Sequence, residues 1–359
     1  MKPTVQSIIL KFAPAILLFA HFLLGWTSKL NQSPTFDEPY HLSIGYDIWR
    51  AGHQRYDFIN TSFSRRWISL PLLFLDLDWP QGSSNQGILT AEFVFNNYIT
   101  PQAMFRWIYP WMALPALFLG WGIYRLASRK WGKPAGLVAL AFFVFDPNIL
   151  AHSGLATTDI LLATTFFWCV FLFWEFDHVP TIKRALLAGV GLGFALMAKY
   201  SAIVLVPAYI LLAIVRFIQT GHKKRILLLG ISLVTAAGLI FLESGFEVIS
   251  PVDFANEQLA IQGEPLIDSQ NEFANIPVPF IRYLYGMFLM TENVTTGRPV
   301  FLSGNLYQSG TMAFFPLTFL LKTSLPVLIL IVWFLFLVGV RKYKVKQILF
   351  SDQYLLMPL

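Results

Sequence analysis

Carboxylates and an imidazole are concentrated in the stretch "SPTFDEPYHLSIGYD" at 33–47, directly after a very apolar segment. A proline near its start and a glycine after it predict a short helix over 39–51. Asp37 and Glu38 then lie at the helix N-terminus, where free N–H groups and the helix dipole keep carboxylates ionised. If the first turn reaches back to Asp37, His41 lies four residues on and shares its face. This pattern suits a general base or a divalent-metal site, and it equally suits a capped, solvated helix.

A second acidic feature lies in "NILAHSGLATTDILLATTFFW", where Asp159 opens an apolar helix and His152 precedes it by seven residues. A carboxylate that enters a membrane helix is costly and usually has a partner or a task. Asp159 is therefore a candidate metal or donor-site residue, with His152 and His41 beside it. Thr158 is a candidate N-cap for the helix, and capping is also the plainer role for Asp159.

Two cations complete the candidate set. Arg106 opens an apolar helix, and Lys199 in "LMAKYS" lies between two apolar helices. Both are expected at the same membrane face as the acids, where they would meet an anion; a snorkelling anchor is the alternative for Lys199.

The composition predicts a polytopic membrane protein. The 359 residues are 56% hydrophobic and only 13% charged, about half the charged fraction of a soluble domain. The net charge of +6 falls in short basic loops, which indicates membrane topology and not nucleic-acid binding. The single cysteine leaves no disulfide and no cysteine metal site.

We predict an all-α bundle of about eight or nine transmembrane helices. The predicted spans are at about 7–26, 105–127, 135–152, 159–177, 185–199, 200–218, 226–246 and 313–340, and a ninth begins near Asp352.

The basic loops predict the orientation. With the N-terminus in the cytoplasm, alternating spans put every basic loop inside, as the positive-inside rule requires. Two long segments are then outside: the first loop (27–104), with juxtamembrane helices, and the second loop (247–312). The sequence contains no repeat and no soluble-domain linker, so 1–359 is expected to be one transmembrane domain.

These residues match the needs of sugar transfer from a polyprenyl phosphate to a hydroxyl. The acceptor needs a carboxylate base, and the departing lipid phosphate needs neutralisation by Arg, Lys or a metal. The sequence resembles the C-type (GT-C) membrane glycosyltransferases, specifically bacterial relatives of protein O-mannosyltransferases and of the aminoarabinose transferase that modifies lipid A. The resemblance covers about 30–330 and rests on "FDEPYH", the arginine at 106, "DPNILAHSGLATTD", "LMAKYS" and "FFPLTFLLKTSLP".

The resemblance implies roles for several residues. Asp37 and Glu38 match an acid pair associated with catalysis, of which Asp37 matches the general base. Asp159 matches an acid of the donor or metal site, and Arg106 is similar to an arginine that contacts donor phosphate, with Lys199 beside it. The implied enzyme is a multi-pass protein of the cell inner (plasma) membrane, with its active site on the outer face. It implies a polyprenyl-phosphate sugar donor, membrane lipid as a partner, and a protein, lipid or glycan acceptor.

Two features depart from the family pattern. Relatives carry a His-Pro-Pro-like stretch later in the first loop, where this chain has "NTSFSRRWISLP". Relatives also continue for several more helices, so we expect either a C-terminally truncated chain or a short member. A membrane transporter or flippase and a non-catalytic membrane protein are the alternative readings, although a transporter would place its charges nearer mid-membrane.

Overall fold

Helices make up most of the part of the chain that the structure describes. The computed structural model describes residues 5–80, 85–221, 223–295, 297 and 299–341. The α-helices are α1 (Val5–Lys29), α2 (Asp37–Ala51), α3 (Ser62–Ser69), α4 (Gln86–Phe95), α5 (Pro101–Trp131), α6 (Lys133–Val144), α7 (Pro147–Ser153), α8 (Asp159–His178), α9 (Ile182–Ala198), α10 (Leu205–Thr220), α11 (Lys224–Glu243), α12 (Pro251–Gln262), α13 (Ile281–Thr295), α14 (Phe314–Lys322) and α15 (Leu325–Arg341). Short 3₁₀-helices cover Leu70–Phe74, Tyr200–Val204 and Glu272–Asn275. Two small antiparallel pairs join β1 (Val248–Ile249) to β2 (Val278–Pro279) and β3 (Val300–Leu302) to β4 (Asn305–Tyr307).

Several of these helices have the length and apolar composition of membrane spans. Four unbroken segments qualify, namely Lys11–Lys29, Asp159–His178, Tyr200–Thr220 and Lys224–Glu243. Two bent pairs qualify as single spans, α6 with α7 (66°) and α14 with most of α15 (111°). The structure confirms an all-α polytopic membrane protein with four to six candidate spans. The further spans predicted at 105–127 and 185–199 coincide with α5 and α9, which fall short of the same test, and the one near Asp352 lies outside the described residues.

The chain divides into two compact units. The larger unit comprises Phe22–Leu119 and His152–Met290, and the smaller comprises Met1–His21, Gly120–Ala151 and Thr291–Leu359. The single domain expected over 1–359 stays a prediction.

Small residues let the helices of the larger unit approach closely. A Cβ on Gly189 of α9 would lie 2.4 Å from the Ser232 carbonyl oxygen of α11, and one on Gly191 would lie 3.0 Å from Cα of Cys169 in α8. The Ser232 hydroxyl also donates to the Ala185 carbonyl, at 2.8 Å. Lipid tails are as apolar as the side chains, so the hydrophobic effect does not drive helices together inside a membrane. Glycine lets the helix backbones come close enough for van der Waals packing to do so instead. Helix α9 is thereby held between α8 and α11.

Helix α2 begins at Asp37 and ends where the sequence predicts, because Gly52 adopts φ of 82° and closes it. Gly45 allows α3 to cross it, since a Cβ there would lie 2.2 Å from the Arg65 carbonyl oxygen. Two ion pairs secure the connection, each between a buried and a partly exposed side chain: Arg55 with the buried Asp47, and the fully buried Arg65 with Asp57.

The part of the second loop that belongs to the larger unit docks on the first loop through Arg282 of α13. Its guanidinium pairs with Glu247 at 2.7 Å and with Glu257, and donates to the Gln54 carbonyl at 2.9 Å. His53 also bonds to Glu257, at 2.9 Å. Although burial alone would raise the pKa of Glu257, the hydrogen bonds from His53 and Arg282 lower it to about 2. The two loops are therefore joined by a charged network.

In the smaller unit, the breaks of the two bent helix pairs meet. Ser324 donates to the Asp146 carboxylate at 2.9 Å, and the Asn148 amide donates to the Lys322 carbonyl. Asp146 also accepts the backbone N–H groups of Asn148 and Ile149. These bonds satisfy backbone groups that the helix breaks would leave without partners.

Candidate functional site

Glu38 is fully buried at the start of α2, and both of its carboxylate oxygens are occupied. One oxygen accepts the backbone N–H of Thr35 at 2.6 Å and its hydroxyl at 3.0 Å. The other accepts the backbone N–H of Ala156 at 2.8 Å. Glu38 thus joins the first loop to the turn that precedes α8.

Its neighbour Asp37 has the opposite environment. The side chain is exposed at the N-terminus of α2, and it forms no hydrogen bond or ion pair with any described residue. Asp37 is therefore an accessible carboxylate, as a general base must be.

Asp159 and Lys199 form the charged centre of the site. The Lys199 ammonium donates to one Asp159 oxygen at 2.8 Å. The other oxygen lies 3.9 Å from Nδ1 of His152 and accepts the Thr157 hydroxyl at 3.4 Å. The Asp159 side chain is 47% exposed and that of Lys199 32% exposed, so an incoming anion can reach the pair. Thr158 occupies the N-cap position of α8, as predicted, but its buried side chain makes no capping hydrogen bond.

The end of α9 fixes the position of Lys199. The last carbonyls of a helix have no intrahelical partner, and here side chains from both loops supply donors. Thr61 and Ser64 donate to the Ala198 carbonyl, at 3.1 and 2.5 Å. Tyr283 of α13 donates to the Leu196 carbonyl at 3.1 Å. Lys199 then leaves the helix in extended conformation, with φ of −163° and ψ of 140°.

His41 is buried in α2 and interacts electrostatically with Arg65, Asp57, Asp159 and Lys199. Burial, reinforced by the Arg65 charge, lowers the pKa of His41 to about 3. Its Nδ1 has no hydrogen-bond partner among the described residues. His41 is therefore a neutral imidazole beside the charged pair at any physiological pH.

Arg106 lies in the second turn of α5 with an exposed side chain. Within the described ranges it forms no ion pair, and it makes no hydrogen bond to Asp37, Asp159 or Lys199. The structure thus brings His152 and Lys199 to Asp159, with His41 in electrostatic range and Glu38 bonded to the turn that precedes Asp159. Asp37 and Arg106 are accessible and have no hydrogen-bond or ion-pair partner among the described residues.

Several residues that build this site were not predicted from the sequence. Lys29 at the end of α1 is buried. A Cβ on Gly154 would lie 2.8 Å from Cγ of Lys29, so the lysine side chain packs directly against the turn before α8. Thr61 and Ser64 were missed as well. Thr61 stands at the N-cap of α3 and Ser64 in its first turn. Their spacing of three, within a polar stretch among apolar ones, is the signal that marks a polar face.

The predicted divalent metal has no residue set to hold it in the described part of the chain. No three His, Cys, Asp or Glu side chains lie together there as a metal ion requires. Both Glu38 oxygens accept N–H or O–H donors, and an ammonium already occupies Asp159. The metal stays a prediction.

An apolar groove of about 480 Å³ lies between α3, α5, α8 and α9. Leu161, Thr164, Thr165, Trp168 and Leu172 line it from one face of α8, over roughly 16 Å at 1.5 Å per residue. The other walls include Phe63 and Trp67 of α3, Leu114 of α5 and Phe194 of α9. The groove therefore runs along the two helices whose ends carry Asp159 and Lys199.

Residues 102–242 match a family model described as dolichyl-phosphate-mannose-protein mannosyltransferase. The match covers less than half of the chain. It includes Arg106, His152, Asp159 and Lys199, and it leaves out the acid pair of the first loop. It agrees with the resemblance found in the sequence and supports a glycosyltransferase-like membrane protein. No curated protein and no solved structure matches the chain.

Proposed function

We propose that this protein is an integral-membrane glycosyltransferase that moves a sugar from a polyprenyl-phosphate donor to a hydroxyl-bearing acceptor at the outer face of the inner (plasma) membrane. One observation carries the proposal. The accessible pair Asp159–Lys199 stands at the ends of the two helices whose facing sides form the apolar groove. A charged site joined to an apolar groove suits an amphiphile with a phosphate head and a hydrocarbon tail.

The chemistry follows from the charges. The acceptor oxygen attacks the anomeric carbon, the bond from that carbon to the phosphate oxygen breaks, and its electron pair leaves with the lipid phosphate. Asp37 takes the acceptor proton, since it is exposed and has no competing partner among the described residues. The leaving phosphate is already a stable anion, so it requires cations more than a proton. Lys199 supplies one positive charge and Arg106 a second.

The isoprenoid chain of the donor occupies the apolar groove. Aromatic and aliphatic side chains line almost all of it, and the lining hydroxyls of Thr164 and Thr165 donate to the Ile160 and Leu161 carbonyls of their own helix. These threonines therefore present their methyl groups to a ligand without leaving a polar atom unsatisfied.

Transfer of labelled sugar tests the proposal. Membranes that contain the full chain are offered a panel of polyprenyl-phosphate sugars, with Asp37→Asn alongside. The expected result is transfer from at least one donor that is lost in Asp37→Asn and kept in Asp76→Asn, an exposed carboxylate of the same loop. Absence of transfer from every donor by an inserted, folded chain would refute the proposal.

A lipid flippase is the second candidate, because α6–α7 and α14–α15 are bent spans. Transporters commonly use such discontinuous helices at their substrate sites. The same membranes separate the two functions: a flippase moves the labelled lipid between leaflets without transferring its sugar, and Asp37→Asn leaves that movement intact.

A further inference from the structure

Glu38 cannot take part in proton transfer in the way that its neighbour can. It is fully buried, and its two oxygens accept three hydrogen bonds from Thr35 and Ala156. A catalytic base must come within hydrogen-bond reach of the proton that it removes. The two adjacent acids of the first loop therefore have different tasks.

The bond from Ala156 connects Glu38 to the charged centre. Ala156 is fully buried and lies three residues before Asp159, in the turn that leads into α8. The Thr157 hydroxyl, one residue further on, bonds to the Asp159 carboxylate. Beneath the turn, the Lys29 side chain packs against Gly154 and interacts electrostatically with Glu38. The position of Asp159 therefore depends on where Glu38 holds this turn.

The first loop also positions Lys199, the other member of the pair, through hydrogen bonds to the backbone beside it. Thr61 and Ser64 of this loop bond to the Ala198 carbonyl, one residue before Lys199. One loop thus positions both helix ends, through Glu38 at α8 and through the two hydroxyls at α9.

We infer that Glu38 is a positioning residue, which aligns Asp159 with Lys199 for the donor phosphate by holding the backbone of Ala156. This inference rests on the proposed function, since it assigns that phosphate to the pair. A positioning role requires an acceptor at Ala156 and no negative charge. Glutamine keeps one acceptor oxygen for the Ala156 N–H and gives up the bond from the Thr35 N–H. Glu38→Gln therefore retains most of the donor affinity and most of the turnover, whereas Glu38→Ala leaves the Ala156 N–H without its acceptor and loses about tenfold in affinity.

The test measures binding and transfer separately, on the purified full chain in lipid nanodiscs. Binding uses polyprenyl phosphate without a sugar, and transfer uses the donor identified in the membrane assay. We expect Glu38→Ala to raise Kd and KM about tenfold with a smaller change in kcat. Asp37→Asn should do the reverse, abolishing kcat while it leaves Kd near that of the wild type.

A double-mutant cycle identifies the route of the effect. If Glu38 acts through the pair, Glu38→Ala adds no further loss of affinity in a Lys199→Met background. Ser64→Ala, which weakens the corresponding contact at α9, should raise Kd in the same direction. Additive losses in the cycle would overturn the inference.

Each remaining outcome is decisive. A wild-type chain that binds no polyprenyl phosphate would refute the proposed function and this inference with it. A wild type that binds, together with Glu38→Ala that binds equally well, would refute the inference alone. Glu38→Gln that binds normally but transfers nothing would show that the carboxylate takes part in the chemistry. Because glutamine is isosteric, this last comparison decides the question even if Glu38→Ala does not fold.

Discussion

Replacing Lys199 by methionine should weaken binding of polyprenyl phosphate about tenfold. Two unit charges 4 Å apart interact by about 4 kcal/mol at an effective dielectric constant of about 20. Lys199 is 32% exposed and is already paired with Asp159, so solvent screening and the exchange of one anion for another reduce the net effect. About 1.5 kcal/mol remains, which corresponds to roughly a tenfold change in Kd.

The assay is equilibrium binding of polyprenyl phosphate to the full chain in nanodiscs at low and high salt. Methionine keeps the aliphatic stem of lysine, so the change removes mainly the charge. The difference between wild type and Lys199→Met should shrink at high salt because the pair is partly exposed. Lys322→Met is the matched control, since Lys322 is an exposed lysine at the end of α14. Equal binding by wild type and Lys199→Met, or an equal loss in Lys322→Met, would contradict the assignment.

The companion variant Asp159→Asn gives a prediction of opposite sign. Asparagine keeps an oxygen that can hold the Lys199 ammonium in place and removes a negative charge near the phosphate, so affinity should rise by roughly threefold to tenfold. A metal ion bridging Asp159 and phosphate would instead make the same substitution weaken binding. The direction of the change therefore also tests the predicted metal.

The remaining predictions concern the first loop. Because burial lowers the pKa of His41 to about 3, folding stability is complete above pH 6.5 and falls as pH drops, by about 2 kcal/mol at pH 5. In melting temperatures measured at pH 7.5 and 5, His41→Gln should remove this loss of stability at the lower pH. A substitution of the exposed His178 should leave the loss unchanged. An equal loss in wild type and His41→Gln would contradict the reasoning. Gly45→Ala places a Cβ 2.2 Å from the Arg65 carbonyl oxygen and should cost about 1–3 kcal/mol or more, seen as a lower melting temperature. Gly230→Ala, with open space around its Cβ, should melt at or above wild type, and equal melting of the two variants would argue against the close contact of α2 and α3.

Local patterns in the sequence determined the elements themselves. The proline and glycine around the 39–51 segment predicted α2, and Gly52 does close that helix with a positive φ. Long apolar runs predicted the spans, because covering a bilayer core requires about 20 apolar residues wherever the helix lies in the fold. The candidate acids and cations were found for the same reason, since a charge next to a membrane helix is conspicuous in the sequence alone.

Tertiary structure decided which of these residues meet. Asp159 and Lys199 are 40 residues apart, and only the packing of α8 against α9 brings them to 2.8 Å. Adjacent Asp37 and Glu38 look equivalent in the sequence, yet one is exposed and the other is buried against Ala156, 118 residues away. Hydrophobic periodicity and helix signals act over a few residues, whereas burial and hydrogen-bond partners depend on segments far along the chain. For that physical reason the sequence by itself determined the long apolar helices and the candidate charged residues, and the fold alone decided that one of the two acids is exposed and the other buried.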